Sequence, residues 1–410
     1  MMSRKLLMGI AIASGLMMTA AAAQTKVVTL WHPYNFETDM IHYGIKSFNE
    51  SQTEYRIEPR LVPYTALNAE VIKAIATGTP PDLMTINDPI VASFSSQGQL
   101  TDITDRVANS KLINLSYYYK GPLASSQWKG RRYSIPREVN AIALYYNADM
   151  FRAKGLDPDK PPKTWAEVRA AAEKLTDPAK NVFGIGFCAH NSEQATFQWL
   201  PWLWQAGGAI DKLDQPEATE ALQFWVDLVQ KGYASKDVIN QQQGEVTNTF
   251  MAGGYAMSVG GPWELPRLQK DAKFDWRVTT LPVKDGKNIQ ASTLGGFHLA
   301  IPAGAKNPDG AFRVIEFMSN AAIFQVGWKS GLLAPRIDVE VKDPQWPQAY
   351  AMFREQSKYA IQRGPHPQWP DLSRPIQIAI QEALTGTKPA AVVLKEAAQK
   401  IQPILAKQPL

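Results

Sequence analysis

The sequence predicts an α/β fold with largely parallel sheets, divided between two domains. Three observations carry this. Short apolar runs bounded by turn residues alternate with segments whose apolar residues recur at helical spacing. Helix-capping residues stand at several boundaries between them. The 410-residue chain holds one cysteine, Cys188, so no internal disulfide can form. Stability must come from a core, and a chain of this length divides its core between domains.

The elements read in order as follows. Residues 27–30 form a strand bounded by Trp31, His32 and Pro33. Residues 40–49 carry Ile41, Ile45 and Phe48 at helical spacing. A second strand spans 57–62. A helix over 67–77 has Val71, Ile72 and Ile75 on one side and stops at Gly78-Thr79-Pro80-Pro81. Residues 83–86 are a third strand. Thr164-Trp165-Ala166-Glu167 is a capping box after Pro161-Pro162. Leu222, Val226 and Val229 stripe a helix ending at Lys231-Gly232. Residues 256–259 read as a buried strand that breaks at Gly260-Gly261-Pro262, with Trp263 just beyond. Asn307-Pro308 caps a helix over 311–318. No internal repeat or long linker interrupts the chain, so two domains must be joined by short, multiple crossings.

The first residues predict export. Arg4 and Lys5 precede an apolar run from Leu6 to Met18, and Ala20 to Ala23 offer small residues for cleavage. Residues 1–23 are expected to be a signal peptide, with Gln24 the first mature residue. No cysteine follows the run, so no lipid anchor is expected, and no later stretch is apolar for long enough to span a bilayer. The mature protein is expected to be soluble and exported. The formal charge of +5 falls by two when Arg4 and Lys5 are removed. That is too mild for nucleic acid, and no Lys/Arg cluster is present.

Enzyme motifs are sparse. None of the five histidines pairs with another His, Cys or Glu at zinc-ligand spacing. There is no nucleophile elbow, Walker A loop or dinucleotide fingerprint, and Cys188 lies in no nucleophile motif. A glycosidase pair of carboxylates stays open, which keeps a secreted carbohydrate-active enzyme as an alternative. Tyr145-Tyr146 could hold ferric iron, as in an iron-binding receptor. On a strand, however, the two rings would point to opposite faces.

The aromatic content is the distinctive feature. Several of the twelve tryptophans stand beside loop-forming residues: Trp31, Trp263 and Trp369. Phe197, Trp199, Trp202 and Trp204 crowd one segment. An aromatic plate meets the C–H face of a sugar, and amides, acids and arginines meet its hydroxyls.

Seven stretches then carry a resemblance: TLWHPYN, ATGTPPDLMTIND (76–88), YSIPREVNAIALYYNADMFRAKGLDPDKPPKTWAEV (133–168), QAGGAI, GGPWEL, TLGGFHLAIPAGAKNPDGAFRVIEFM and ALTGTKPAAVVLKEAAQKI. In this order and spacing the chain resembles the extracellular solute-binding proteins, family 1, which feed ABC sugar importers.

The resemblance implies the two-lobed, type II periplasmic binding protein fold, a Venus-flytrap with a hinge and an inter-lobe ligand cleft. It implies an N-terminal lobe of 24–137 plus 296–334 and a C-terminal lobe of 138–295 plus 335–410. Crossings are expected near Arg137, near Gly295-Gly296 and near Leu333 to Arg336. It further implies a periplasmic monomer that delivers a carbohydrate to membrane permease subunits, with no catalytic residue, metal or cofactor. The ligand-binding positions it implies are Trp31, His32 and Asn35 after the first strand, Asn87 and Asp88 after the third, and Arg137 and Asn140 in a cleft loop. To these it adds the stacking rings Phe197 and Trp263, the glycines Gly295 and Gly296, which would let ligand approach the backbone, and Arg336, Arg363 and Trp369. The three arginines could grip an anionic sugar or glycerol derivative, or bridge neighbouring acids such as Glu138. Neutral oligosaccharide and anionic derivative are both open on the sequence.

Overall fold

The structure, a computed structural model, describes residues 24–34, 40–342 and 344–410. The expected signal peptide and Asn35 lie outside these residues. Strand β1 (Lys26–His32) pairs in parallel with β2 (Tyr55–Leu61) along its full length and with β3 (Leu83–Asn87) on its other side. Helices Met40–Ser51 and Tyr64–Ala76 make the crossovers that parallel pairing requires. The chain adds β4 (Ser134–Pro136) and leaves for a second sheet of β5 (Ala143–Asn147), β6 (Phe183–Gly186), β7 (Tyr255–Gly260) and β8 (Trp276–Thr279). It then returns as β9 (Phe297–Ala300). The strand orders are β2-β1-β3-β9-β4 and β8-β5-β7-β6.

The sheets are mixed rather than largely parallel. β9 runs antiparallel to both β3 and β4, and β5 antiparallel to both β7 and β8. The reason is the path. β9 re-enters the first sheet from the other lobe, so it starts at the end where β3 finishes.

Alternation along β3 shows how the first sheet is covered. Leu83 joins a core of Val28, Leu30, Ile41 and Leu299 on one face, whereas Met84 and Ile86 join Leu67 and Val71 on the other. The second sheet has its own core, where Leu144, Ile185 and Met257 meet Trp199, Trp225 and the helix Trp369–Leu384.

The caps lie where the sequence puts them. Thr164 Oγ1 accepts from the Glu167 amide at 3.2 Å, and Glu167 Oε2 accepts from the Thr164 amide at 3.3 Å, opening helix Trp165–Leu175. Asn307 Oδ1 accepts from the Gly310 amide at 3.0 Å, opening helix Pro308–Met318.

Three extended segments run side by side between the sheets. The Val139 amide donates to the Leu333 carbonyl at 3.0 Å, Asn140 and Gly295 exchange both backbone bonds at 2.9 Å, and the Arg137 amide donates to Phe297 at 2.9 Å. Gly296 holds φ 151°, and a Cβ there would stand 2.3 Å from the Glu138 carbonyl oxygen. Gly296 therefore lets the crossing chains approach each other, whereas a Cβ on Gly295 would meet Asn140 Oδ1 at 2.1 Å and the Phe197 ring at 2.9 Å.

Among the described residues, no helix is long and apolar enough to cross a membrane.

Candidate functional site

A cavity of ≈ 500 Å³ lies between the two sheets, against the junction segments. Pro33 and Tyr34 reach it from the end of β1, Asn87 from the end of β3, and Tyr64 from the start of its helix. Glu138, Asn140, Gly295 and Gly296 line it from the junction. Gln194, Phe197 and Trp263 face it from the second lobe.

Trp263 stands at the end of β7 because of Gly261. A Cβ on Gly261 would fall 2.0 Å from the indole, so only glycine lets the ring fold back over its own turn. The backbone there is ordinary, with φ −110°, so the glycine supplies room and not a special turn. The Tyr145 hydroxyl pins this loop by donating to the Gly261 carbonyl at 2.8 Å. The indole N–H donates to Glu264 Oε1 at 2.9 Å, which fixes the ring's tilt. Its centroid lies 6.3 Å from that of Phe197, at an interplanar angle of 43°. The Arg363 guanidinium covers the Phe197 ring at 4.7 Å.

Charge at the cavity is matched internally. Arg363 donates to Asp88 Oδ1 at 2.8 Å and to Glu193 Oε1 at 2.7 Å. Arg137 pairs with Glu138, which also accepts from the Tyr34 hydroxyl at 3.1 Å. Arg267 reaches Asn248 Oδ1 at 2.5 Å, the Gly244 carbonyl at 3.1 Å and Glu264 Oε2 at 3.7 Å. Burial pushes the Asp88 carboxyl up to about 7, against the opposing pull of Arg363. Burial also raises Glu264, partly offset by Arg267 and the Trp263 N–H.

Of the sequence-expected positions, Asn87, Asn140, Phe197, Trp263, Gly295, Gly296 and Arg363 line the cavity. The others do not. Trp31 and His32 are strand residues, because pairing with β2 carries β1 through His32. The Trp31 ring lies under Arg60 at 4.3 Å. His32 is buried, accepts from the Tyr34 amide at 3.3 Å and meets His42 edge-on. Burial, with help from His42 and Arg137, lowers its pKa to about 4. Asp88 is covered by Arg363, and Arg137 is buried with its guanidinium over the Tyr34 ring at 4.3 Å. Trp369 is buried and donates to Glu193 Oε1 at 3.0 Å, so it supports the ion pair from behind. Arg336 lies on the far side of the junction, bound to Asp338 and to the Ser319 carbonyl.

Tyr34, Tyr64, Gln194, Gln242 and Arg267 line the cavity without having been singled out. Two signals were available. Tyr34 stands inside the quoted TLWHPYN stretch, and Gln242 with Glu245 is a capping box at the start of helix Gln243–Met251. The tyrosine pair on β5 does not converge: Tyr145 donates to Gly261 and Tyr146 to the Pro158 carbonyl at 2.8 Å. No group of three potential metal ligands occurs among the described residues.

The profile of the family described as bacterial extracellular solute-binding protein matches residues 36–323. The chain is 27% identical over 349 residues to the maltotriose-binding protein of Pyrococcus abyssi, covering 80% of this chain and 71% of that protein. It is 28% identical over 342 residues to the sn-glycerol-3-phosphate-binding periplasmic protein UgpB of Brucella melitensis, covering 76% and 75%. Among solved structures, an ABC transporter solute-binding protein from Thermotoga lettingae, bound with alpha-D-tagatose, superposes with a TM-score of 0.84 at 27% identity, covering 93% of this chain and 100% of that one.

Proposed function

This chain belongs to the bacterial extracellular solute-binding proteins, and from that membership we propose that it is the substrate-binding component of an ABC importer for a neutral oligosaccharide. The family and these relatives are binding proteins, and the reading assigns no turnover to the cavity. The protein works in the periplasm as a monomer, closes over its ligand and hands it to membrane permease subunits. Its lobes are 24–137 with 296–334 and 138–295 with 335–410, and the hinge is the trio of junction segments.

The observation that carries the neutral ligand is the state of the arginines. Arg137, Arg267 and Arg363 each already meet a carboxylate, and the lining itself holds three acids, Glu138, Glu245 and Glu264, against two arginines, Arg267 and Arg363. A phosphate or uronate would have to displace one of these pairs, which costs the desolvated partner its charge match. A neutral sugar has no such competitor. Trp263, Phe197 and the tyrosines Tyr34 and Tyr64 offer faces for its C–H groups, while Asn87, Asn140 and Gln194 offer amides for its hydroxyls. The glycerol-3-phosphate relative is thus the poorer guide to cargo, and the maltotriose relative the better.

Ligand shuts the lobes only by preferring the closed state; moving a mostly open receptor to mostly closed takes roughly 5 kcal/mol of preference. Stacking at about 0.5–1.5 kcal/mol per ring and hydrogen bonds at about 1 kcal/mol each reach that with a handful of contacts.

Thermal denaturation with maltotriose, maltose and glycerol 3-phosphate tests the reading. Maltotriose or maltose is expected to raise the melting temperature and glycerol 3-phosphate to leave it unchanged. A rise with glycerol 3-phosphate alone overturns the neutral assignment. Release of glucose from bound maltotriose at enzyme-like rates overturns the receptor.

A further inference from the structure

Behind the junction segments lies a second cavity, of ≈ 440 Å³. Its position follows from the geometry of extended chain, on which successive side chains point to opposite faces. Glu138, Asn140, Gly295 and Leu332 line the inter-lobe cleft, whereas their chain neighbours Val139, Leu294 and Leu333 line the second cavity. The two cavities occupy opposite faces of the junction and share no lining residue.

The second cavity has an apolar floor and a basic rim. Val139, Leu294, Leu333 and Val339 are buried at its base. Lys120, Arg336, Arg354 and Lys358 line it, and among the described residues no Asp or Glu does. Two of these cations are already engaged: Arg336 with Asp338 at 2.5 Å and Lys358 with Glu355 at 2.6 Å. The Arg354 guanidinium lies over the Tyr350 ring at 5.6 Å, and neither it nor Lys120 pairs with a carboxylate among the described residues. Both are exposed at the rim. The volume falls within the range of small-molecule sites, and the division of floor from rim sorts a ligand by its own two ends.

We propose that this cavity is a second ligand site, which takes an amphipathic anion: a carboxylate or sulfonate whose apolar body rests on the floor and whose charge meets Lys120 and Arg354. A neutral sugar is a poor occupant, because the floor offers its hydroxyls no partners. The inference is independent of the cargo assigned to the cleft, since it uses none of the cleft's residues.

The test is titration of the full chain with decanoate by calorimetry, without any sugar. Decanoate is expected to bind the wild type, and the double variant Lys120→Glu/Arg354→Glu to bind it at least about tenfold more weakly, because charge-assisted contacts are lost. Ala334→Trp, which fills the cavity, is expected to abolish binding. Trp263→Ala, a change in the cleft, is expected to leave it unaltered. Melting temperatures without ligand show that each variant is folded; the rim variant, altered only at exposed side chains, is the one on which the proposal stands if Ala334→Trp fails to fold. Absence of decanoate binding by the wild type, equal binding by the rim double variant, loss of binding in Trp263→Ala, or equal binding of uncharged decanol would overturn the proposal.

Discussion

Arg363 Nη2 donates to Asp88 Oδ1 at 2.8 Å, joining the segment ahead of helix Trp369–Leu384 to the end of strand β3 on the other sheet. The same guanidinium also serves Glu193, so two buried or half-buried acids share one cation. Burial therefore dominates at Asp88 and pushes its carboxyl up to about 7 from an ordinary 3.8. Between about pH 4 and pH 7 the folded protein holds a proton at Asp88 that the unfolded chain has released. The stability this proton confers is full below that window, falls as pH rises through it and is lost above it. Asp88→Asn removes the titration. The melting temperature of wild type minus that of Asp88→Asn is expected to fall steadily from pH 4.5 to 7.5; a difference that stays flat or rises denies the raised carboxyl.

Trp263 presents its ring to the cavity and is only half-buried, so its loss is expected to be felt in binding more than in folding. Trp263→Ala should weaken the bound sugar by about tenfold, the equivalent of one stacking contact and its buried area. The melting temperature without ligand should fall by no more than about 3 °C. Calorimetry and thermal denaturation on the same preparation separate the two effects. Unchanged affinity would remove Trp263 from the site.

Cys188 is the chain's single thiol and lies fully buried, with its Sγ 3.8 Å from Gln194 Oε1. Burial pushes its pKa up to about 12. It should resist thiol reagents at pH 8 in the native state and react only as fast as the second lobe opens, because the thiolate is the reactive form. Denaturant should restore one reactive thiol per chain. Rapid labelling of the native protein would contradict the packing around it.

Local signals were legible in the sequence, and contacts between distant segments were not. Thr164 and Glu167 close a capping box four residues long, and Asn307 caps its helix through Gly310; chain neighbours suffice to read both. The resemblance implied the two lobes, and of the positions it named Asn87, Asn140, Phe197, Trp263, Gly295, Gly296 and Arg363 line the cavity. Trp31 and His32 were misplaced as turn residues because the length of β1 is set by its partner β2, more than twenty residues on. Asp88 and Arg363 are 275 residues apart, and nothing near either announces that they cancel. The role of Gly261 was equally hidden. Its neighbours suggest a tight turn, but only the folded-back indole shows that the missing Cβ is needed for space.

Gly331 tests how that indole is held from behind. It adopts φ 76°, and a Cβ there would lie 1.7 Å from the Pro262 carbonyl oxygen and 3.2 Å from the Trp263 amide nitrogen. The loop after Trp328 thus presses directly on the turn that carries Trp263, on the cavity side where Ser330 and Leu332 also stand. An alanine faces two penalties: the left-handed backbone, at about 1–2 kcal/mol, and a contact with backbone that no rotamer change relieves, at about 1–3 kcal/mol. Gly331→Ala is therefore expected to lower stability by about 3 kcal/mol and to displace Trp263, so that sugar affinity falls even in the fraction that remains folded. Gly386 is the control, because it holds φ 75° with nothing within 4 Å of its absent Cβ. Gly386→Ala should cost only the backbone term and leave affinity untouched. Denaturant unfolding of the two variants, with calorimetry on the folded material, reads the difference. Equal losses of stability, or normal sugar binding by Gly331→Ala, would show that the two loops do not bear on each other.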